Sequence, residues 1–315
     1  MRAQEIIFTA PRTAEIREVT VEDPGPGEVQ VRTLANGICM MEVSLFTGAE
    51  PTEFPRRVGH EGVGVVEKVG PGIRDLREGD LVTCFQWRTV QNQGPWATHR
   101  LPRRPADPAT WLVEPANCVV TAVRSYDIVP GDRVFVLGAG YMGLLNVQLL
   151  RACPLAELVV ADVKAKNLEL ARRFGATEVI DAGTPEGRER IAALEKEPFD
   201  LVVEVAGAPK TVDTASRLVR TGGKLGIFAW HHEPRSVDLG LWHMRGIRVL
   251  NCAPGIGTDR NERSWERAIR LLDRGTFDMT PLVTHRHPAS DVQAAMELAA
   301  ERPEGYIKGV LTFSE

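Results

Sequence analysis

Apolar positions in the first 120 residues or so come in short runs: "EVQVRTLANGIC", "GVGVVEKVG" and "DLVTCFQW". Gly- and Pro-rich stretches, "DPGPGE", "VGPGIRDLREGD" and "QNQGPW", separate them. Short strands at close spacing predict an all-β, barrel-like unit. The opening "MRAQEIIFTAPRTAEI" reads as its first strand. From Gly131 the texture changes. "DRVFVLGAGYMGLLNVQLLRAC" is a buried strand, a Gly-rich turn and a helix, followed by "AELVVADV", the helix "KNLELARRFG", and the strands "EVID", "PFDLVVEVAG" and "GGKLGIFAW". Apolar strands alternating with helical segments predict a parallel α/β sheet covered on both faces. The tail adds two helices, "SWERAIRLLDRG" and "SDVQAAMELAAE", and a last strand, "GVLTF". This order predicts an α/β protein whose tail folds back onto the first unit, with domains at 1–123 plus 254–315 and at 124–253.

Composition narrows the partners. Hydrophobic residues make up 43% and charged residues 25% of the 315-residue chain, as in ordinary globular proteins. A net charge of −4 gives no electrostatic case for nucleic acid or an anionic membrane as partner. No run approaches the roughly 18 apolar residues of a membrane span, and the N-terminus lacks the apolar segment of a signal peptide. The expectation is a cytoplasmic protein. Cys39, Cys84, Cys118, Cys153 and Cys252 are irregularly spaced and contain no C-x-x-C, which in a reducing compartment favours free thiols, metal ligands or a catalytic group.

Two stretches carry chemistry. In "VFVLGAGYMG", Gly138, Gly140 and Gly143 form G-x-G-x-x-G between a strand and a helix, with Tyr141 and Met142 inside the pattern. The glycines serve the tight turn, the approach of a pyrophosphate and close helix–strand packing, and the helix N-terminus attracts phosphate. Asp162, at the end of the next strand, suits the adenosine ribose hydroxyls and repels a 2′-phosphate, which favours NAD over NADP. Lys164 and Lys166 argue the other way, as cations able to accept a phosphate. Asp162 capping the following helix is the plain alternative. The second stretch pairs Cys39, in "NGICMMEVSLFTG", with His60 and Glu61, in "GHEGVG". Thiolate, imidazole and carboxylate suit Zn²⁺, but a buried thiol and a hydrogen-bonded core histidine fit the spacing as well.

Taken in order, "GICMMEV", "GHEGVGVVEKVG", "GDLV", "EPANCVVTAV", "GDRVFVLGAGYMGLL", "FGATEVID" and "EVAGA" resemble the zinc-dependent medium-chain dehydrogenase/reductase family over essentially the whole chain. The polyol (sorbitol) and threonine dehydrogenase branch is nearest, through its "EP". The resemblance implies a GroES-like β-barrel catalytic domain joined to a Rossmann doubly wound sheet. It also implies zinc ligands at Cys39 and His60, with Glu61 and Glu114 as carboxylates that ligate the ion or hold its water. Glu42 falls at an acidic position that orients His60 or steadies the thiolate's surroundings.

This chain departs from the family twice. Its segment "CFQWRTVQNQGPW" has one Cys and is too short for the four-Cys structural-zinc lobe, so one catalytic zinc per chain and no structural zinc are expected. Met40 and Met41 occupy places where the family puts a small residue and a Ser or Thr that starts a proton relay. A thioether cannot shuttle a proton. Ser44, or water on Glu42 or Glu61, is the substitute.

The implied reaction is reversible hydride transfer between a secondary alcohol and NAD, giving a ketone, with zinc as Lewis acid. A polyol, sugar or cyclitol is the preferred substrate. Met40, Met41, Trp87 and Trp96 are candidates for an apolar pocket lining. Trp230, His231 and His232, in "FAWHHEPRSVDLGLW", are candidates for reaching cofactor or substrate, with a surface loop as the alternative. Two other functions fit the fold: a zinc-free quinone or enoyl-type reductase, and a non-catalytic NAD-binding protein. The family commonly pairs through an edge strand, for which "GIRVLNC" qualifies, so a homodimer or homotetramer is expected.

Overall fold

The computed structural model describes residues 1–252 and 263–313. The chain divides into two compact units, Met1–Asn117 with Trp265–Glu315, and Cys118–Ser264. The expected return to the first unit at position 254 lies outside the described residues.

The first unit contains β1 (Arg2–Ala10), β2 (Thr13–Thr20), β3 (Val29–Gly37), α1 (Met40–Thr47), β4 (Arg56–Arg57), β5 (Gly62–Val69), β6 (Leu81–Cys84) and β7 (Val90–Gln93). Helix α2 (Val113–Ser125) spans the division. The opening segment, expected as one strand, is a hairpin. β1 pairs antiparallel with β2, and the chain turns at Pro11–Arg12, where Arg12 adopts φ 56. The sheet that matters for function centres on β3. β5 pairs with it antiparallel from Val29 to Asn36. β3 also pairs with β7 through Val29–Arg32 and with the returning strand near its C-terminal end, at Ala35–Gly37. Phe8, Phe46, Val58 and Trp87 fill one of the unit's cores. Trp87 is fully buried and packs edge-on against Phe8, which corrects its expected place in a pocket lining.

The second unit alternates β8 (Arg133–Leu137), α3 (Tyr141–Arg151), β9 (Glu157–Asp162), α4 (Ala165–Arg173), β10 (Glu178–Asp181), α5 (Pro185–Leu194), β11 (Phe199–Glu204), α6 (Thr211–Leu218), β12 (Val219–Ile227), α7 (Leu239–Arg245) and β13 (Arg248–Asn251). Its strands form one parallel sheet in the order β10-β9-β8-β11-β12-β13. "VFVL", "LVVA" and "LVVE" are buried along their whole length, as both faces of a covered parallel sheet require. Strand order reverses between β8 and β11, which makes this a doubly wound, Rossmann-type sheet with its ligand crevice at that point.

The tail supplies α8 (Arg263–Asp273), β14 (Val283–Pro288), α9 (Val292–Glu301) and β15 (Lys308–Thr312). β15 joins the first unit's sheet antiparallel to β3 and parallel to β14. Among the described residues no helix is long and apolar enough to cross a membrane.

Candidate functional sites

In the first unit, β3 ends at Gly37 and α1 begins one residue after Cys39, so the thiol sits at a helix N-terminus. Glu42, in the first turn of α1, is completely buried. One of its oxygens accepts the Cys39 N–H at 3.0 Å. The other lies 2.7 Å from Nδ1 of His60 and accepts the Gly59 N–H at 3.2 Å. A carboxylate can only accept, so Nδ1 of His60 carries the proton toward Glu42 and Nε2 is the nitrogen left for an ion.

Ligand atoms of Cys39, Glu42 and His60 lie within 4.8 Å of one another, and those of His60, Glu61 and Glu114 do likewise. The two triads share His60. Glu61 is positioned by its backbone: its N–H donates to Oδ1 of Asn36 at 3.1 Å, and its carbonyl accepts Gly37 N–H at 3.1 Å. Gly37 is needed there for space, since a Cβ at that position would stand 1.9 Å from Oε2 of Glu61. Glu114 enters from the first turn of α2.

Lys308, the first residue of β15, is the member that the sequence did not reveal. It is 4% exposed, its ammonium is 2.5 Å from Oε2 of Glu61, and it donates to the Ile38 carbonyl at 3.0 Å. Burial alone would lower its pKa, but Glu61 and Cys39 outweigh that and raise it. Its signal was a single charge opening the buried run "KGVLT", which strand patterning alone treats as an end residue.

The electrostatics test whether a divalent cation fits. Burial raises the Cys39 pKa and the charges of Glu61 and Glu42 add to it, against the His60 hydrogen bond. Burial would lower His60, but Glu42, the Cys39 contact and Glu114 raise it overall. Burial, with the carboxylates, keeps the proton on Cys39 and the carboxylates keep one on His60, and a divalent ion that displaces those protons is the usual partner of such a set. The mixed S, N and O donors fit zinc.

Other expected residues fall as follows. Ser44 is buried and its hydroxyl donates to the Met40 carbonyl at 2.9 Å. Met40 and Met41 are 45% and 39% exposed, and Trp96 is 72% exposed, its ring 5.2 Å from that of Phe85. Cys84 is packed in the core against Thr33, and burial pushes its thiol up to about 12. Gln86 was not anticipated. It has φ 63, unusual for a side chain of its kind, and its backbone is clamped by Gly59 O at 2.9 Å and Asn36 Nδ2 at 3.2 Å.

In the second unit, β8 leads into Gly138 at φ 109, where a Cβ would stand 2.7 Å from the Ala206 nitrogen. Gly140 caps α3, and a Cβ there would meet nothing within 4 Å. That open space above a helix N-terminus is what a pyrophosphate requires. Gly143 lets α3 pack onto the loop, since its Cβ would be 2.1 Å from the Gly138 carbonyl. Tyr141 is buried in the first turn of α3, beside Met142. Asp162 both holds the loop and turns the chain. One oxygen accepts Ala139 N–H at 2.6 Å, and the other accepts Lys164 N–H at 2.8 Å and Asn167 Nδ2 at 3.2 Å. Three donors leave about one of its four acceptor sites for a ribose hydroxyl. Lys164 is the N-cap residue of α4. Trp230 and His232 lie exposed on the loop after β12, whereas His231 is mostly buried against Glu204.

A dinucleotide loop in one unit and a thiol–imidazole–carboxylate cluster in the other are the parts of a metal-assisted dehydrogenase. Residues 25–101 match the alcohol dehydrogenase GroES-like domain and residues 142–274 the zinc-binding dehydrogenase domain. Sorbitol dehydrogenase of Arabidopsis thaliana is 27% identical, covering 91% of this chain and 89% of that protein. L-threonine 3-dehydrogenase of Pyrococcus abyssi is also 27% identical, over 90% and 91%. A solved oxidoreductase of unknown specificity from Escherichia coli superposes with TM-score 0.89 at 26% identity, covering all of both chains. The chain belongs to the zinc-type medium-chain dehydrogenase family. It is an alcohol oxidoreductase by family, with a nicotinamide cofactor and zinc.

Proposed function

We propose that the protein interconverts a secondary alcohol, of the polyol, sugar or cyclitol class, and its ketone, using NAD(H) and one zinc per chain without a structural zinc. The observation that carries this reading is the pair of donor triads meeting at His60, with Glu42 fixing the imidazole. Cys39 and His60 would hold the ion, and Glu61 and Glu114 would supply the remaining oxygen donors. A zinc ion there would acidify an alcohol hydroxyl, and the nicotinamide would take up the hydride.

The chain's own residues do the rest. Lys308 holds Glu61 through its ion pair and anchors both to the Ile38 carbonyl. Proton release falls to the Ser44 hydroxyl or to water on Glu42 or Glu61, because Met40 and Met41 offer no exchangeable proton. Asp162 supports NAD rather than NADP, since its charge repels a 2′-phosphate. Relatedness to sorbitol and threonine dehydrogenases favours a polyhydroxy or hydroxy-amino-acid substrate, and the first is preferred. β13, at the edge of the parallel sheet, is the strand through which a homodimer or a tetramer of dimers would form. Five free thiols suit the cytoplasm.

The test is metal analysis and a substrate panel on the purified protein and on Cys39→Ala. The expected result is about one zinc per chain with NAD-linked oxidation of polyols, and loss of both in the variant. Full activity without metal, or activity confined to short aliphatic alcohols, would overturn the reading.

A further inference from the structure

We propose that His231 is a positioning residue for the nicotinamide half of the cofactor, acting by tying the loop after β12 to the buried carboxylate of Glu204. The inference rests on the nicotinamide reading above. Asp162 ends β9, on the β10-β9-β8 side of the strand reversal, and marks the adenosine side of the crevice. The other half of a dinucleotide therefore meets the C-terminal ends of β11 and β12. Glu204 is the last residue of β11, in register with Leu137 of β8 on one side and Ile227 of β12 on the other. It occupies the centre of that edge.

Glu204 is completely buried, and its bonds go to the two loops that leave this edge. One carboxylate oxygen accepts Gly207 N–H and the Thr211 hydroxyl, each at 2.7 Å. The other is 2.9 Å from Nε2 of His231. Its backbone carbonyl accepts the N–H groups of Phe228 and Ala229, at 2.9 and 3.1 Å. His231 is held from its far side as well, by Nε of Arg235 at 3.2 Å from Nδ1. A guanidinium can only donate, so Nδ1 is the acceptor and the imidazole proton sits on Nε2, facing Glu204. Arg235 is steadied in turn by Glu233 at 3.1 Å.

This chain of side chains does more than fold the sheet. A buried carboxylate is costly unless fully hydrogen-bonded, and an apolar residue would pack β11 as well. What Glu204 and His231 add is a fixed course for the loops at 205–210 and 228–235. The second of these carries Trp230, next in sequence to the anchored histidine, 62% exposed with its ring tilted against that of His232 at 6.0 Å between centroids, an aromatic group of the kind that packs against a planar ring. His231 itself need not touch the cofactor.

The experiment titrates NADH and ADP separately against the wild-type protein, His231→Ala and His231→Gln, with thermal unfolding of each. ADP reports the adenosine side alone. His231→Ala is expected to weaken NADH about tenfold, the worth of one hydrogen bond to a charged group, while ADP changes by less than about twofold. Glutamine can donate its amide N–H to Glu204 and accept from Arg235 with its carbonyl, so His231→Gln is expected to recover most of the loss. If His231→Ala does not fold, Arg235→Ala removes the outer donor and is expected to weaken NADH by about threefold with ADP unchanged. Wild-type NADH affinity in these alanine variants, a parallel loss of NADH and ADP, or no recovery with glutamine would overturn the proposal. A wild-type protein that binds neither NADH nor ADP would overturn the nicotinamide reading beneath it as well.

Discussion

The two candidate sites are built from different materials. The phosphate seat in the second unit is mainly backbone: Gly138, Gly140 and the first turn of α3 lie in one stretch of chain, and the features that matter are a positive φ, an open space and a helix N-terminus. The donor cluster in the first unit is side chain throughout. Cys39, Glu42, His60, Glu61, Glu114 and Lys308 come from four stretches of the sequence and meet because β3, β5 and β15 are neighbours in one sheet and α2 brings in Glu114. A backbone site tolerates side-chain change except where a Cβ collides. A side-chain site fails at any member, but its parts can be exchanged without moving the chain.

Removing Lys308 tests the side-chain site hardest. Lys308→Met leaves the Glu61 carboxylate buried beside a thioether, and breaking a buried pair from one side costs about 3 kcal/mol or more. Urea unfolding is expected to show that loss, with Lys308→Arg keeping most of the stability. A methionine variant as stable as wild type would mean that the cluster around His60 is enough for the Glu61 carboxylate, since Asn36 and Gly37 bond only its backbone, and the lysine would then be a bystander.

The glycines test the backbone site and separate its two functions. Gly138→Ala forces a side chain into φ 109 and sets its Cβ 2.7 Å from the Ala206 nitrogen, so a loss of about 2 kcal/mol in stability is expected along with cofactor binding. At Gly140 a Cβ meets nothing. Gly140→Ala should leave unfolding within about 0.5 kcal/mol of wild type while weakening NADH, since the methyl group occupies the space above the helix N-terminus. Unchanged NADH affinity in Gly140→Ala would show that the pyrophosphate sits elsewhere.

The same contrast explains what could be read in advance. The strand–Gly–helix unit is local, so "VFVLGAGYMG" fixed its strand, its cap and its acidic partner at Asp162 by spacing. The residue's second task, holding Ala139, followed only from the register of β8 beside β9. In the first unit the spacing of Cys39 and His60 left both a metal pair and two core residues open, with the core reading ahead, and family resemblance turned the balance. Lys308 was missed because its role depends on a strand nearly 250 residues further along than Glu61, brought alongside β3 by the tail. Trp87 was misjudged because strand alternation would set it on the same face as Phe85, two positions earlier, whereas Gln86 at φ 63 breaks the alternation between them: Phe85 meets Trp96, and Trp87 turns into the core against Phe8.

Gln86 is where the side-chain site borrows a backbone device, and it offers the smallest effect. Its φ of 63 is left-handed, a conformation that costs a non-glycine residue roughly 1 kcal/mol. Both its backbone groups are held, the N–H by Gly59 and the carbonyl by Asn36, whose other amide atom accepts the Glu61 N–H. The strain is therefore held in place by the same bonds that position His60 and Glu61. Gln86→Gly should relieve it, and because glycine also gains freedom in the unfolded chain, the net stabilisation expected is only about 0.5 kcal/mol. A melting temperature that rises while zinc content stays constant would mean that the strained turn serves the site without holding the metal. A falling melting temperature would mean that the glutamine side chain, not the conformation, keeps β6 against the start of β5.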